Sequence, residues 1–195
     1  MMIETMEGAT SLDESEIDGL LLTHITTRGE LDRWEQDNIL SALGWLAKTK
    51  KIDLLTEEFI RILHRRMFGE VWDWAGQFRK TNKNLGIDWW QIPTSLRDLL
   101  EDASLWIEAD RETPEEIAVR FHHRLVAIHP FPNGNGRHAR LMADLILERL
   151  YQRPRLSWGG NSNLTRTSEI RRTYIRALRA ADEGDFNPLV AFARS

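Results

Sequence analysis

HPFPNGNGRHAR, running from His129 to Arg140, decides how this chain reads. Upstream, "TPEEIAVRFHHRLVAI" has a helix start at Thr113, Pro114 and Glu116, followed by apolar residues at Ile117, Phe121, Leu125 and Ile128. That helix must end at His129, because the residue before a proline is pushed out of the α region. Downstream, a second helix begins inside the glycines and runs through "RHARLMADLILERL". A helix that starts on Gly134, Asn135 and Gly136 presents unpaired backbone N–H groups, and its dipole favours an anion there. Glycine also allows positive φ and close backbone approach, so the loop can form a nest for phosphate. Arg137 and Arg140 lie three apart and share one side of the first turn, where they can hold two phosphates of a nucleotide. His129 sits at the loop mouth, and its ordinary pKa of ~6.5 suits a general base. The pattern GxxxxGK(S/T) is absent, so this is no Walker loop.

Working outward, "TTRGELDRWEQDNILSALGWLAK" reads as a helix with a Thr27/Glu30 capping box, and Leu31, Trp34, Ile39, Leu43 and Leu46 follow one face. Another helix runs from Thr56 through "EEFIRILHRRMFG", with Gly69 at its C-terminal end. Between Trp72 and Ile92 the helical period breaks. Asn82, Asn84 and Gly86 lie between aromatic flanks, which predicts a short β-hairpin or extended flap. Helical spacing resumes after Pro93 and again from Thr167 to Ala181. The expected fold class is mostly α: a helical bundle with one β-hairpin flap near the polar loop.

The chain has 195 residues, 42% hydrophobic and 29% charged, as suits a single globular core. A net charge of −4 argues against a global nucleic-acid or membrane footprint, so nucleic acid is not an expected partner. The absence of cysteine excludes disulfides and thiolate metal sites. The acidic start lacks a signal-peptide pattern, and no apolar run reaches the ~18 residues of a membrane span; a soluble, cytoplasmic protein is expected. The first ~20 residues, short and polar, are expected to be mobile.

The loop resembles the active-site motif of the Fic (filamentation-induced-by-cAMP) domain family, HxFx(D/E)GNGRxxR, at every fixed position except one. "FGEVWDWAGQFR" resembles the aromatic stretch leading into the Fic flap. The whole chain, including "GATSLDESEIDGLLLTHITTRGELDRWEQDNI" and "RALRAADEGDFNPLVAFARS", is similar to the Fic subgroup called mobile mystery protein B. The resemblance implies a protein adenylyltransferase that moves AMP from ATP to a Ser, Thr or Tyr hydroxyl of a target protein and releases pyrophosphate. It implies a division into residues 1–50, an N-terminal segment and helix with a regulatory role, and 51–195, a Fic-type catalytic domain.

Carried over by position, His129 is the base, and Phe131 anchors the loop. Gly134, Asn135 and Gly136 form the anion hole, and Arg137 and Arg140 grip the β- and γ-phosphates. Arg79, Lys80, Thr81, Asn82 and Gly86 belong to the flap that docks the target by strand addition. Mg²⁺ would be the accompanying metal, but Asn133 stands where the family has a carboxylate, so weaker metal binding is expected. That substitution keeps two alternatives open: a non-catalytic nucleotide-binding module, and a variant transferring another phosphate-containing group. The family's inhibitory motif, (S/T)xxxE(G/N), is matched only in part by Thr26 to Glu30. Glu30 is therefore a candidate inhibitory acid toward Arg140, with the Thr27/Glu30 capping box as the rival reading. By analogy the subgroup also implies a helix-turn-helix partner protein.

Overall fold

A computed structural model describes residues 13–160 and 169–195. In chain order the helices are α1 (Glu14–Ile17), α2 (Arg28–Lys48), α3 (Glu57–Phe68), α4 (Ile92–Ala109), α5 (Pro114–Ile128), α6 (Asn135–Leu150), α7 (Glu169–Asp182) and α8 (Asn187–Arg194). A single 3-10 turn, Trp89–Gln91, leads into α4.

Local chemistry sets these boundaries. Thr27, Thr56 and Thr113 each accept a hydrogen bond from the third backbone N–H of α2, α3 and α5, which satisfies one orphan donor per helix. The Thr27/Glu30 and Thr113/Glu116 boxes are both complete. His129 ends α5 in the left-handed region at φ 55°, unusual for a side chain with a Cβ.

The centre of the bundle is α5 packed on α6, with α4 and α8 against α5 and α2 against α3. Phe121 and Leu125 from α5 join Met142, Leu145 and Ile146 from α6 in one buried core. Among the described residues, the two α-helices that the sequence pattern left unannounced are the shortest, α1 and α8. Residues 1–12 of the segment expected to be mobile, and the first two residues of the helix expected from Thr167, lie outside the described residues. Residues 19–21 are pinned: Leu20 forms an antiparallel bridge with Trp72, Leu21 N–H donates to the Val71 carbonyl at 2.9 Å, and Gly19 accepts from Asp73 N–H at 3.0 Å.

The β-hairpin flap is corrected. Among the described residues the Leu20–Trp72 bridge is isolated and no strand forms. Residues 79–88 are instead an irregular loop whose carbonyls are taken by a side chain. The Arg79 guanidinium donates to Thr81 O at 2.9 Å and to Ile87 O, so the two limbs of the loop are joined through an arginine side chain rather than by a backbone ladder. A cross-strand ladder needs those same carbonyls.

Candidate active site

The α5–α6 junction is held from three sides. Phe131 is fully buried and stacks on His64 of α3 with ring centroids 3.8 Å apart. The amide of Asn135 closes the loop on itself, accepting from Phe131 N–H at 2.9 Å and donating to Phe131 O at 2.7 Å. His64 Nδ1 accepts from Gly76 N–H at 3.0 Å, which leaves Nε2–H to donate to Asn133 O at 2.9 Å. That assigns the neutral tautomer, and burial keeps the ring's pKa well below 6.5.

Gly134 caps α6 at φ 79° with no side-chain partner for the helix N-terminus. A Cβ there would lie 2.6 Å from the Phe68 ring, so only glycine fits. Where α2, α3 and α5 spend a threonine on their first N–H groups, α6 leaves its own open toward any anion.

His129 is buried, 5% exposed. Burial and the nearby Arg79 charge push its pKa down to about 4, against a hydrogen bond with the Val126 backbone. The ring is therefore neutral at physiological pH. The flap lies directly on it. Arg79 Nε donates to His129 O at 2.7 Å, and Arg79 N–H donates to Pro130 O at 2.9 Å. Gly86, at φ 94°, passes so close that a Cβ would sit 2.4 Å from the His129 Cβ. Asn82 braces the loop by donating to Asp88 at 2.7 Å and accepting from Trp89 N–H at 2.9 Å. Lys80 is exposed.

The two motif arginines have different company. Arg140 is half-buried against Tyr174 of α7, its guanidinium 5.5 Å from the ring centroid, and it hydrogen-bonds the phenol. Tyr174 in turn meets His122 Nε2 at 3.0 Å. Arg137 lies over Phe68, 4.7 Å from its centroid, and its Nη1 pairs with Glu35 Oε2 of α2 at 2.6 Å. Glu35 is itself buried and accepts a second bond from Trp72 Nε1 at 2.8 Å.

The Fic/DOC family model matches residues 54–147, a span that runs from the start of α3 almost to the end of α6. Those residues form a Fic/DOC family domain. The protein adenylyltransferase Fic of Drosophila melanogaster is 31% identical over 147 residues, covering 73% of this chain and 28% of its own length. Its namesake in Culex quinquefasciatus is 32% identical over 146 residues, with 73% and 27% covered. The chain thus spans less than a third of these relatives. Among solved structures, Fic-1 from C. elegans is similar at a TM-score of 0.65 and 26% identity, covering 96% of this chain and 56% of that one. BepC, a VirB-translocated effector from Bartonella tribocorum with bound AMPPNP, is similar in fold at a TM-score of 0.67 and 15% identity, covering 93% and 97%.

Within the Fic domain, Asn133 does not suit a metal ligand. Its Oδ1 is engaged with the N–H of the next residue, Gly134, at 2.6 Å, and it brings no charge to a hard cation that usually takes carboxylate oxygens. Among the described residues no cluster of His, Asp or Glu stands ready to replace it. His138, which lies between the two arginines in sequence, is turned into the core, fully buried with Nε2 against Ile60 O at 3.0 Å. Glu30 spends its carboxylate on Thr26 and Thr27 at 2.9–3.4 Å. The acid that reaches a motif arginine is Glu35, one and a half turns further along α2, and the arginine is Arg137 rather than Arg140. The sequence held one signal for it: a carboxylate on the apolar side of a helix, next to Trp34 and among residues spaced for burial.

Proposed function

We propose that this protein transfers AMP from ATP to a hydroxyl of a protein target, releasing pyrophosphate. One observation carries the reading: a buried, neutral histidine at the mouth of a helix N-terminus left without a cap and flanked by two arginines. The names of the curated relatives support it, as does their similarity over most of this chain.

In this reading the triphosphate lies on the N–H groups of Asn135 and Gly136, and on that of Gly134 once it gives up its bond to Asn133 Oδ1, with Arg137 and Arg140 on the β- and γ-phosphates. The target hydroxyl oxygen attacks the α-phosphorus. A new O–P bond forms, the bond from the α-phosphorus to the bridging oxygen breaks, and pyrophosphate departs with that electron pair. His129 takes the hydroxyl proton. Burial and, after it, the Arg79 charge hold its pKa low; a bound polyanion would oppose that positive charge and raise its proton affinity. Most of the catalytic work is positioning and charge stabilisation.

Regulation is assigned to Glu35. Its carboxylate already occupies Arg137, so ATP must displace an internal charge-assisted hydrogen bond to bind fully.

Asn133 favours one alternative, a nucleotide-binding module without transfer. Isotope position separates the readings. ATP labelled at the α-phosphate should mark protein, and ATP labelled at the γ-phosphate should not. Label from the γ position would mean phosphate transfer, and tight ATP binding without label, even in Asn133→Asp, would mean the module.

A further inference from the structure

The irregular flap has two faces. Asn82 turns to Asp88 and Trp89, whereas Thr81 and Lys83, two residues apart, converge on a single oxygen. Thr81 Oγ1 donates to Asp13 Oδ2 at 2.6 Å, and Lys83 Nζ donates to that same oxygen at 2.7 Å. Lys83 Nζ also bonds Glu16 Oε2. The Lys83 side chain is only 1% exposed, so its ammonium depends on these carboxylates, which come from some 70 residues away. A buried ammonium is tolerated only when paired.

We propose that Thr81 and Lys83 form a carboxylate-binding pincer that selects targets with an acidic segment near the acceptor hydroxyl, and that Asp13 and Glu16 occupy it as an internal competitor. The word "target" rests on the transferase reading above; the pincer and its occupant do not.

Three features support an exchangeable occupant. First, the Asp13 side chain is 44% exposed, while Glu16 is 12% exposed. An incoming carboxylate can therefore replace Asp13 before Glu16 leaves, so the buried ammonium is never left unpaired during the exchange. Second, the segment is tied down behind the pincer, at residues 19–21 and by Trp74 Nε1 donating to Glu16 O at 2.9 Å. Release of its tip then needs no unfolding of the bundle. Third, the pincer adjoins the base. Gly86 of the same loop lies against His129, and the Lys83 charge is close enough to lower the His129 pKa. The same loop exposes Leu85, and Trp89 and Trp90 follow it, so an acidic segment with apolar neighbours would find contacts beyond the pincer.

The test is fluorescence anisotropy without ATP. The probe is a fluorescein-labelled peptide with the sequence of residues 13–18, Asp-Glu-Ser-Glu-Ile-Asp, added to the full chain. The double variant Asp13→Asn/Glu16→Gln should bind it at least about tenfold more tightly than the wild type, since the charged acceptors of Asp13 and Glu16 no longer compete. The gain should vanish when Lys83→Met is added, and for a peptide carrying Asn and Gln in place of the acids. An unrelated acidic hexapeptide, Glu-Asp-Thr-Asp-Leu-Glu, should compete the probe off. Equal binding by wild type and double variant would overturn the proposal, as would a gain that survives Lys83→Met or equal binding of the neutral peptide. Failure of the unrelated peptide to compete would confine the pincer to the chain's own segment and overturn the target role. Thermal melting reports whether the double variant folds; if it does not, Asp13→Asn alone carries the same prediction with a smaller gain. Binding is read without nucleotide, so absent label transfer would sink the transferase reading and leave the pincer standing, and the reverse also holds.

Discussion

At the scale of single residues, the site is built by side chains that serve each other more than they wait for substrate. Asn135 looks like an anion-hole residue, yet its amide is spent on Phe131, and what it offers an anion is its backbone N–H. Arg79 looks like an exposed docking residue, yet it is 2% exposed and gathers carbonyls from the flap and from the end of α5. Glu35 is the residue with the sharpest consequence. Glu35→Gln keeps an acceptor for Trp72 Nε1 but removes the charge on Arg137. Titration calorimetry should show ATP bound about tenfold more tightly, the equivalent of one charge-assisted hydrogen bond no longer displaced. Unchanged affinity would remove Glu35 from any regulatory role.

At the scale of elements, helix ends were legible and loop interiors were not. Thr27, Thr56 and Thr113 announce their helices because a cap is a local bargain between a hydroxyl and an N–H three residues on. The proline after His129 marks the end of α5 for an equally local reason. The flap defeated the same reading, because the guanidinium that organises it reaches carbonyls 49 and 50 residues away as well as those nearby. Glu35 and Arg137 are 102 residues apart, and no periodicity in either helix points to their meeting. The flap's seating on His129 depends on Gly86. Gly86→Ala would drive a methyl to within 2.4 Å of the His129 Cβ and impose a positive φ on alanine. It should lower label transfer at least tenfold through a misplaced base while the melting temperature falls only modestly, because the flap lies outside the core. Transfer at the wild-type rate would show that the flap's contact with His129 is dispensable.

At the scale of the whole molecule, the bundle holds four histidines neutral. His129 is pushed down to about 4 and His138 to about 3, while His64 and His122 lie well below 6.5, in each case chiefly by burial. In the unfolded chain these rings take protons near pH ~6.5. Below that pH the unfolded state binds more protons than the folded one, so stability falls as pH falls toward the folded values. Asp144, raised to about 6 by burial, works the other way: the folded state holds its proton longer, and stability falls as pH rises from about 3.8 to 6. Four groups outweigh one. The melting temperature should drop steadily from about pH 7 to about pH 5, well before most carboxylates protonate, and a flat profile over that interval would contradict the buried neutral assignment. The helical class, the motif loop and its neighbours were open to sequence reading because they are local. The partners of Arg137, Lys83 and Arg140 come from α2, from α1 and its cap, and from α7, and only the assembled bundle brings them together.

The most direct measurement is intact mass spectrometry of the purified chain and a cell lysate after incubation with ATP and Mg²⁺, wild type beside His129→Ala. Wild type should add the mass of one AMP to itself or to lysate proteins, and His129→Ala should add none while still binding ATP. An adduct of the same size and yield from His129→Ala would contradict the assignment of His129 as the base, and with it the central reading of the loop.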